Sequence, residues 1–480
     1  MSRPEPQVPV PAGPLTVVSA LARLSAGELS AQDLLARVTG RADAQDGALG
    51  VYLHRTTEAA QVTARDVDRR RSAGTPTGPL AGVPLAVKDI ILTADAPTTG
   101  QSLLRDRSQV TGDAPVSARL RAADAVLTGK TTTMEFALGF SDPDKPFPTP
   151  RNPWDLSRWT GGSSSGTASG IATGMFLGGL GTDTAGSVRM PAAWCGVTGH
   201  KPTYGLVPRT GVLPLGWTLD HVGPLARTAE DCALLLSVMA GPDGRDPTVA
   251  TDAAFSFAAP QVDLDRLRIG LALDPMDLSR PEVQAAVRRA VEVLAAAGAR
   301  VREVRLPVYE QACSATLHVL TAEALAYHRR DLRSRWSDFG RPTRAALLTG
   351  ALVGGADYVQ AQRVRRHAVR ALDDLFEDVD VVLGPTATGP APKIDDLDFG
   401  AVVSMLQTTY WDAVGNPALS VPMGRVDGLP VGLQVVGRPF ADRIVLDVGR
   451  AFQALTDHHL AVPPDPARAG GAPAPVGGQS

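Results

Sequence analysis

Two kinds of hydrophobic pattern alternate along the chain. Continuously apolar stretches of strand length include "LAGVPLAVKDIIL", "LRIGLAL" and "VDVVLGPT", and such runs predict buried β-strands. Apolar residues recur at helical spacing in "TTEAAQVTARDVDRRR", "PEVQAAVRRAVEVLAAAG" and "DRIVLDVGRAFQAL", which predicts amphipathic helices. This alternation predicts an α/β protein whose central sheet is largely covered.

Polar residues at the starts of several segments mark helix boundaries. Ser30 and Asp33 have the spacing of a capping box, and Thr228 fits the N-cap of "AEDCALLLSVMAG". Residues 310–377 are predicted to be mostly helical. The stretch "SGTASGIATGMFLGG" is predicted to be a helix whose small residues let it pack close to the sheet, because its glycines would otherwise cost stability.

Both ends of the 480-residue chain are rich in Pro, Gly and Ala and poor in core-forming residues. This composition predicts disordered tails over residues 1–14 and 463–480. The sequence between them, residues 15–462, is long enough to bury a large core and is predicted to form one domain.

Charge and cysteine content narrow the class of protein. The net charge of −3 argues against a dedicated nucleic-acid or membrane surface. Three widely spaced cysteines form neither a disulfide framework nor a CxxC metal pair, which favours a reducing, cytoplasmic setting. No apolar run approaches the roughly 18 residues that span a bilayer.

A lysine in an apolar strand is the first candidate for chemistry. The chain has only five lysines, and Lys88 lies in the predicted strand "GVPLAVKDI". Burial favours the neutral amine, which can act as a general base. The alternative is structural: Lys88 pairs with Asp89 or extends its amine to the strand end.

A loop of small residues, "GLGTDTAGSVRMPAAW", supplies a candidate nucleophile in Ser187. It precedes a predicted helix start, where unpaired backbone N–H groups could form an oxyanion hole. Asp183 and Arg189 flank the turn and could pair to fix its shape. The structural alternative is an N-cap serine after a tight turn.

The serine-rich stretch "TGGSSSGTASG" looks like a flexible linker, but Ser163 could relay a proton from Ser187 to Lys88. Nucleophile, relay and base would then follow the logic of a catalytic triad without histidine. An HExxH motif is absent from the sequence. A Ser-His-Asp triad finds no support in the motifs, although spacing alone leaves it open.

These segments together resemble the amidase signature family, from "GVPLAVKDI" through residues 161–212 to "GNPALSVPMG" and "DGLPVGLQVVG". The resemblance covers about residues 15–462. It implies a single large domain with a central mixed β-sheet covered on both sides by α-helices. It also implies a Ser–cis-Ser–Lys triad, with Lys88 as terminal base, Ser163 as the relay after a cis peptide bond, and Ser187 as nucleophile.

The resemblance assigns supporting roles as well. Ser164 matches a supporting hydrogen-bonding position, and Asp183 and Arg189 flank the nucleophile loop. The implied oxyanion hole uses the backbone N–H groups of Thr184, Ala185, Gly186 and Ser187. Ala185 departs from the glycine of many members, so its φ must suit a side chain. No metal or organic cofactor is implied.

The implied chemistry is acyl transfer to water through an acyl-enzyme on Ser187. The preferred hypothesis is a stand-alone amidase, monomer or homodimer, acting on a small or medium-sized amide, with esters or carbamates (urethanes) possible. The alternative is the A subunit of glutamyl-tRNA amidotransferase, a glutaminase that feeds ammonia to a partner. Such proteins carry an acid for glutamine near the segment that matches "VVSMLQTTYW", which has none. A third hypothesis, a non-catalytic binding module, is disfavoured by the complete triad.

The substrate pocket is predicted from composition alone. We expect it to use residues from about 133–140, 155–160, 215–217 and 313–350. The apolar side chains offered by the first three ranges are Met134, Phe136, Leu138, Trp159 and Trp217.

Overall fold

An eleven-stranded mixed sheet forms the centre of the computed structural model, which describes residues 13–465. The sheet order is β1-β3-β2-β6-β8-β7-β12-β13-β11-β9-β10, and β4 and β5 form a separate hairpin. The strands are β1 (Tyr52–Arg55), β2 (Pro84–Lys88), β3 (Val126–Thr131), β4 (Arg151–Asn152), β5 (Asp155–Trp159), β6 (Gly178–Asp183), β7 (Thr198–Lys201), β8 (His221–Ala226), β9 (Arg268–Ala272), β10 (Arg300–Val304), β11 (Val381–Pro385), β12 (Ala418–Val426) and β13 (Leu429–Val436).

Parallel and antiparallel pairs share this sheet. Strands β3, β2 and β6 are parallel neighbours, as are β11, β9 and β10, whereas β6, β8, β7, β12, β13 and β11 follow one another antiparallel. Every residue of β2, β6 and β8 is buried, as expected for central strands covered on both faces. The predicted α/β fold with a mixed central sheet is confirmed.

Helices surround the sheet. They are α1 (Val17–Ser25), α2 (Ala31–Leu49), α3 (Thr57–Ser72), α4 (Pro115–Ala122), α5 (Ser165–Thr173), α6 (Arg189–Cys195), α7 (Ala229–Met239), α8 (Leu273–Asp277), α9 (Pro281–Ala296), α10 (Tyr309–Ser334), α11 (Arg341–Thr349), α12 (Gly355–Asp378), α13 (Phe399–Met405), α14 (Thr409–Val414) and α15 (Asp442–Leu455). Helices α10, α11 and α12 make up most of the region predicted to be helical. Within residues 13–465, no helix is long and apolar enough to cross a membrane.

The predicted caps form where the sequence places them. The Ser30 side chain accepts the N–H of Asp33 at the start of α2, and Thr228 accepts the N–H of Asp231 in a capping box at the start of α7. The predicted tails, 1–14 and 463–480, lie almost entirely outside the described residues. The domain boundaries at 15 and 462 therefore stay a prediction.

The helix predicted after the serine cluster is shorter than the pattern suggested. Helix α5 ends at Thr173, because Gly174 adopts a left-handed conformation with φ of 72°. The apolar Gly-rich run that follows is the central strand β6, not a continuation of the helix. The sequence pattern did not predict this strand, because glycine is a poor strand former and is not β-branched.

The small residues of α5 do permit a close approach to the sheet. A Cβ added at Gly166 would lie 2.3 Å from Val51 O and 2.5 Å from Thr132 Oγ1. At Gly170 an added Cβ would lie 2.2 Å from the ring of Phe176. The glycines are therefore required by packing, which positions the serine cluster at the start of α5.

Replacing one of these glycines should destabilise the fold. We expect Gly166→Ala to lower the free energy of unfolding by about 1–3 kcal/mol, as overpacking does in well-packed interiors. The matched control is Gly47→Ala in α2, where an added Cβ meets nothing within 4 Å. Gly47→Ala should instead raise stability by up to about 1 kcal/mol through helix propensity. Urea unfolding measures both, and equal midpoints for the two variants would contradict the packing argument.

Candidate active site

Lys88 is fully buried at the end of β2, and its amine faces hydroxyl groups. Its Nζ donates to Ser163 Oγ at 2.7 Å and to Thr182 Oγ1 at 2.8 Å. The neighbouring Asp89 pairs with Lys130 at 3.3 Å, so the expected structural pairing with Lys88 is not formed. Burial lowers the pKa of Lys88 to about 7, against the opposing effect of Asp183 and Asp220. A large fraction of this amine is therefore neutral near neutral pH.

The serine cluster joins Lys88 to the loop that carries Ser187. The peptide bond between Gly162 and Ser163 is cis, as the family resemblance implied. Ser164 N–H donates to Ser187 O at 3.1 Å, and Ser164 Oγ donates to Thr182 O at 3.3 Å. The supporting role predicted for Ser164 is thus matched by contacts on both sides of the cluster.

The carboxylate of Asp183 organises the loop over residues 184–188. It accepts the N–H of Gly186 at 2.6 Å and of Val188 at 3.0 Å. Arg189 approaches it with Nε at 3.0 Å and a terminal nitrogen at 2.9 Å, so the predicted Asp183–Arg189 pair is present. Although burial alone would raise the pKa of Asp183, the Arg189 guanidinium holds it well below its usual range. The loop is thus built around a permanent negative charge.

The backbone donors of this loop are not equivalent. Gly186 N–H is occupied by Asp183, whereas the N–H groups of Thr184, Ala185 and Ser187 have no acceptor among the described residues. Ala185 tolerates its methyl group because its φ is not positive. Gly186 has φ of 125°, and a Cβ there would lie 2.1 Å from Thr408 Oγ1. The geometry therefore leaves three of the four predicted donors free to face a substrate.

The Ser187 side chain is partly exposed at the floor of an apolar pocket. Its Oγ makes no hydrogen bond with another described residue, and no histidine of the described part of the chain lines the pocket. The pocket encloses about 560 Å³ of space, open solvent included. Its apolar lining side chains are Met134, Ala137, Leu138, Phe140, Trp159, Ala185, Met190, Leu215, Leu317, Leu320, Val402, Val403 and Leu406.

Three of the five predicted pocket residues, Met134, Leu138 and Trp159, line this pocket. Phe136 lies elsewhere, because its positive φ of 48° turns the ring towards His328 and Phe339. Trp217 also lies elsewhere: it is 59% exposed and lines a different cavity, where the Arg209 guanidinium stacks over its ring. A short apolar sequence segment does not reveal which way each side chain points.

The opposite wall of the pocket comes from segments far along the chain. Leu317 and Leu320 on α10 fall within the range predicted to contribute. Val402, Val403 and Leu406 on or just after α13 were not predicted, and the only signal was the short apolar run "AVVSML". Helix α11 packs against α10, and two backbone N–H groups at its start attach it beside the pocket: Gly340 donates to Glu135 and Arg341 donates to Asp142, both at 2.7 Å.

Charged groups lie behind the loop rather than in the pocket. Within the described residues, the lining contains no Asp, Glu, Lys, Arg or His. Arg189 also contacts Asp412 at 2.5 Å, and both of these side chains are inaccessible to solvent. The site therefore combines an apolar front with an ionic scaffold behind it, an arrangement suited to acyl transfer on an uncharged group.

Comparisons with known proteins agree with this arrangement. A family model described as Amidase matches residues 33–446. The A subunit of the glutamyl-tRNA(Gln) amidotransferase of Chloroflexus aggregans is 40% identical over 484 residues, which cover 95% of this chain and 99% of the relative.

Solved structures show the same fold over nearly the full length. One, described as a vestigial protein complex that reveals the evolutionary origins of an s-triazine catabolic enzyme, has a TM-score of 0.86 and 32% identity, covering 92% of this chain and 98% of its own. The peptide amidase of Stenotrophomonas maltophilia has a TM-score of 0.81 and 30% identity, covering 93% and 98%. On the family match and the 40% identity, this chain belongs to the amidase signature family of amidohydrolases.

Proposed function

We propose that this enzyme hydrolyses an amide with an apolar acyl or amine portion. The observation that carries the proposal is the apolar pocket with Ser187 at its floor. Transfer of an uncharged substrate from water into such a pocket costs little desolvation free energy, whereas a charged substrate would have ionic groups without partners there. Esters and carbamates share the reacting carbonyl and are included in the proposal.

The proposed mechanism uses the side chains of Ser187, Ser163 and Lys88 in sequence. Ser187 Oγ attacks the carbonyl carbon, its proton passes to Ser163, and the proton of Ser163 passes to neutral Lys88. The free amides of residues 184, 185 and 187 bind the resulting oxyanion. The proton then returns by the same route to the leaving amine as the C–N bond breaks. Water, activated in the same way, releases the acyl group and restores Ser187.

A second function is favoured by the curated relatives. The relative of highest quoted identity is an amidotransferase component, and this similarity supports the alternative, a glutaminase acting in a complex, better than the preferred amidase. Free glutamine carries an ammonium and a carboxylate, so it needs ionic partners beside Ser187. The apolar lining supports the amidase instead. The two functions therefore make opposite predictions about substrate charge.

A substrate panel without added proteins separates the two functions. It comprises glutamine, an anilide, a short aliphatic amide, an ester and an aryl carbamate. We expect kcat/KM for the best uncharged substrate to exceed that for glutamine by about 100-fold or more, since each unpaired buried charge costs several kcal/mol. Turnover of glutamine alone would establish the second function. Ser187→Ala should abolish turnover of every substrate, and the exposed Ser157→Ala serves as the matched control.

The pH dependence of the reaction should report Lys88. Because burial lowers its pKa to about 7, the amine is protonated and inactive as a base below that pH and neutral above it. We expect kcat/KM to fall about tenfold per pH unit below pH 7 and to level off above it. Thermal midpoints measured over the same range control for unfolding. A flat profile between pH 5.5 and 8 would exclude Lys88 as the titrating base.

The pocket wall can be tested with two leucines of the helical region. Leu317 lines the pocket, whereas Leu348 is 47% exposed on α11 and does not. We expect Leu317→Asn to lower kcat/KM for an apolar amide about 10-fold, as the loss of one buried leucine contact implies. Leu348→Asn should leave kcat/KM unchanged. Equal effects of the two substitutions would show that this pocket does not bind the substrate.

A further inference from the structure

A second buried lysine lies behind the oxyanion loop. Lys201, at the end of β7, is inaccessible to solvent. Its Nζ donates to Asn416 O at 2.7 Å and contacts His221 Nε2 at 3.2 Å. No step of the proposed mechanism uses this amine, so its contact with a buried histidine calls for another explanation.

Hydrogen-bond chemistry fixes the tautomer of His221. Burial lowers the pKa of Lys201 to about 8, so near neutral pH it is an ammonium with donors only. His221 Nε2 must then accept, and the ring proton of the neutral imidazole sits on Nδ1. Burial, reinforced by Lys201, lowers the pKa of His221 well below its ordinary value, in keeping with a neutral ring. His221 Nδ1 can therefore donate.

The acceptor of this proton is a backbone carbonyl. His221 Nδ1 lies 3.2 Å from Asp183 O, whereas the nearest carboxylate oxygen of Asp412 is 3.8 Å away. The ring of Tyr204 packs edge-on against the imidazole at 5.4 Å and restricts its rotation. Lys201, His221 and the Asp183 carbonyl thus form a directed chain of two hydrogen bonds.

The end of this chain is part of the candidate oxyanion hole. The carbonyl of Asp183 and the N–H of Thr184 belong to one peptide unit. A hydrogen bond accepted by the carbonyl polarises the unit and makes its N–H a stronger donor. On the other side, Asp220 accepts the hydroxyl proton of Thr184 at 2.6 Å. The two contacts anchor the carbonyl of this peptide and the side chain of the residue that carries its N–H.

We propose that Lys201 and His221 are positioning residues that orient and polarise the Thr184 amide towards the carbonyl oxygen of the substrate. The proposal rests on the proposed function, because it takes Thr184 N–H to be an oxyanion donor. The remaining charged groups around the pair are Arg189, Asp183, Asp412 and Asp442, and Arg209 faces the imidazole from the outer side. None of them replaces the direct contact of His221 with Asp183 O.

Two substitutions at His221 distinguish a positioning role of the imidazole from a role in packing alone. His221→Leu removes both hydrogen bonds, whereas His221→Gln keeps one acceptor for Lys201 and one donor for Asp183 O. We expect His221→Leu to lower kcat about 10- to 100-fold with KM within about twofold, less than the loss of a whole oxyanion donor. His221→Gln should recover most of kcat. Unchanged kcat in His221→Leu, or equal losses in the two variants at equal thermal midpoints, would overturn the proposal.

A double-mutant comparison tests whether Lys201 acts through His221. Lys201→Met should lower kcat about 10-fold by itself but cause no further loss in a His221→Leu background. Independent, multiplying losses would show that Lys201 does not act through the imidazole, and would overturn the pairing.

Covalent labelling distinguishes failure of this inference from failure of the proposed function. The probe is phenylmethylsulfonyl fluoride, with the modified residue located by mass spectrometry. We expect labelling of Ser187 in the wild-type protein and at least about fivefold slower labelling in His221→Leu. The reason is that the sulfonyl oxygens also accept hydrogen bonds from the loop amides. No labelling of Ser187 in the wild type would count against the proposed function itself. Labelling at equal rates in the two proteins would contradict only the role of His221.

Discussion

The buried pairing of Asp183 with Arg189 is the interaction on which the site depends. Both side chains are inaccessible to solvent, so neither charge could be accommodated without the other. The carboxylate also accepts the backbone N–H groups of Gly186 and Val188, which orients the amides on either side of Ser187. The same carboxylate lies near Lys88 without pairing with it. One ionic pair thereby shapes the loop, while the pKa of Lys88 stays lowered to about 7.

Burial has different consequences for Lys88 on β2 and Lys130 on β3. Lys130 meets Asp89 and forms an ion pair, whereas Lys88 meets only hydroxyl groups. Asp89, which directly follows Lys88, pairs with Lys130 on the adjacent strand β3 and not with Lys88. An amine in such surroundings is a base, and the same amine beside Asp89 would be a structural cation.

Local signals in the sequence were enough to predict the fold class and to bring Lys88, Ser163 and Ser187 forward as candidates. The strand β6 was missed, because glycines that serve close packing of α5 carry no strand propensity. Phe136 and Trp217, which the sequence predicted for the substrate pocket, do not line the pocket at Ser187: Phe136 has a positive φ and Trp217 is exposed. The wall formed by Val402, Val403 and Leu406 depends on contacts between distant segments. The family follows from the comparisons, which also weigh towards the glutaminase alternative for the substrate.

The hydrogen bonds of Gly340 to Glu135 and of Arg341 to Asp142 attach α11, which packs against the α10 wall of the pocket, through backbone N–H groups. Side chains on the pocket face of that wall take no part in this attachment. Mutations there can therefore accumulate without moving the side chains of Lys88, Ser163 and Ser187. Divergence of substrate preference among descendants of one ancestor needs no change in the reaction machinery, and a new specificity can arise by drift in a few leucines and valines.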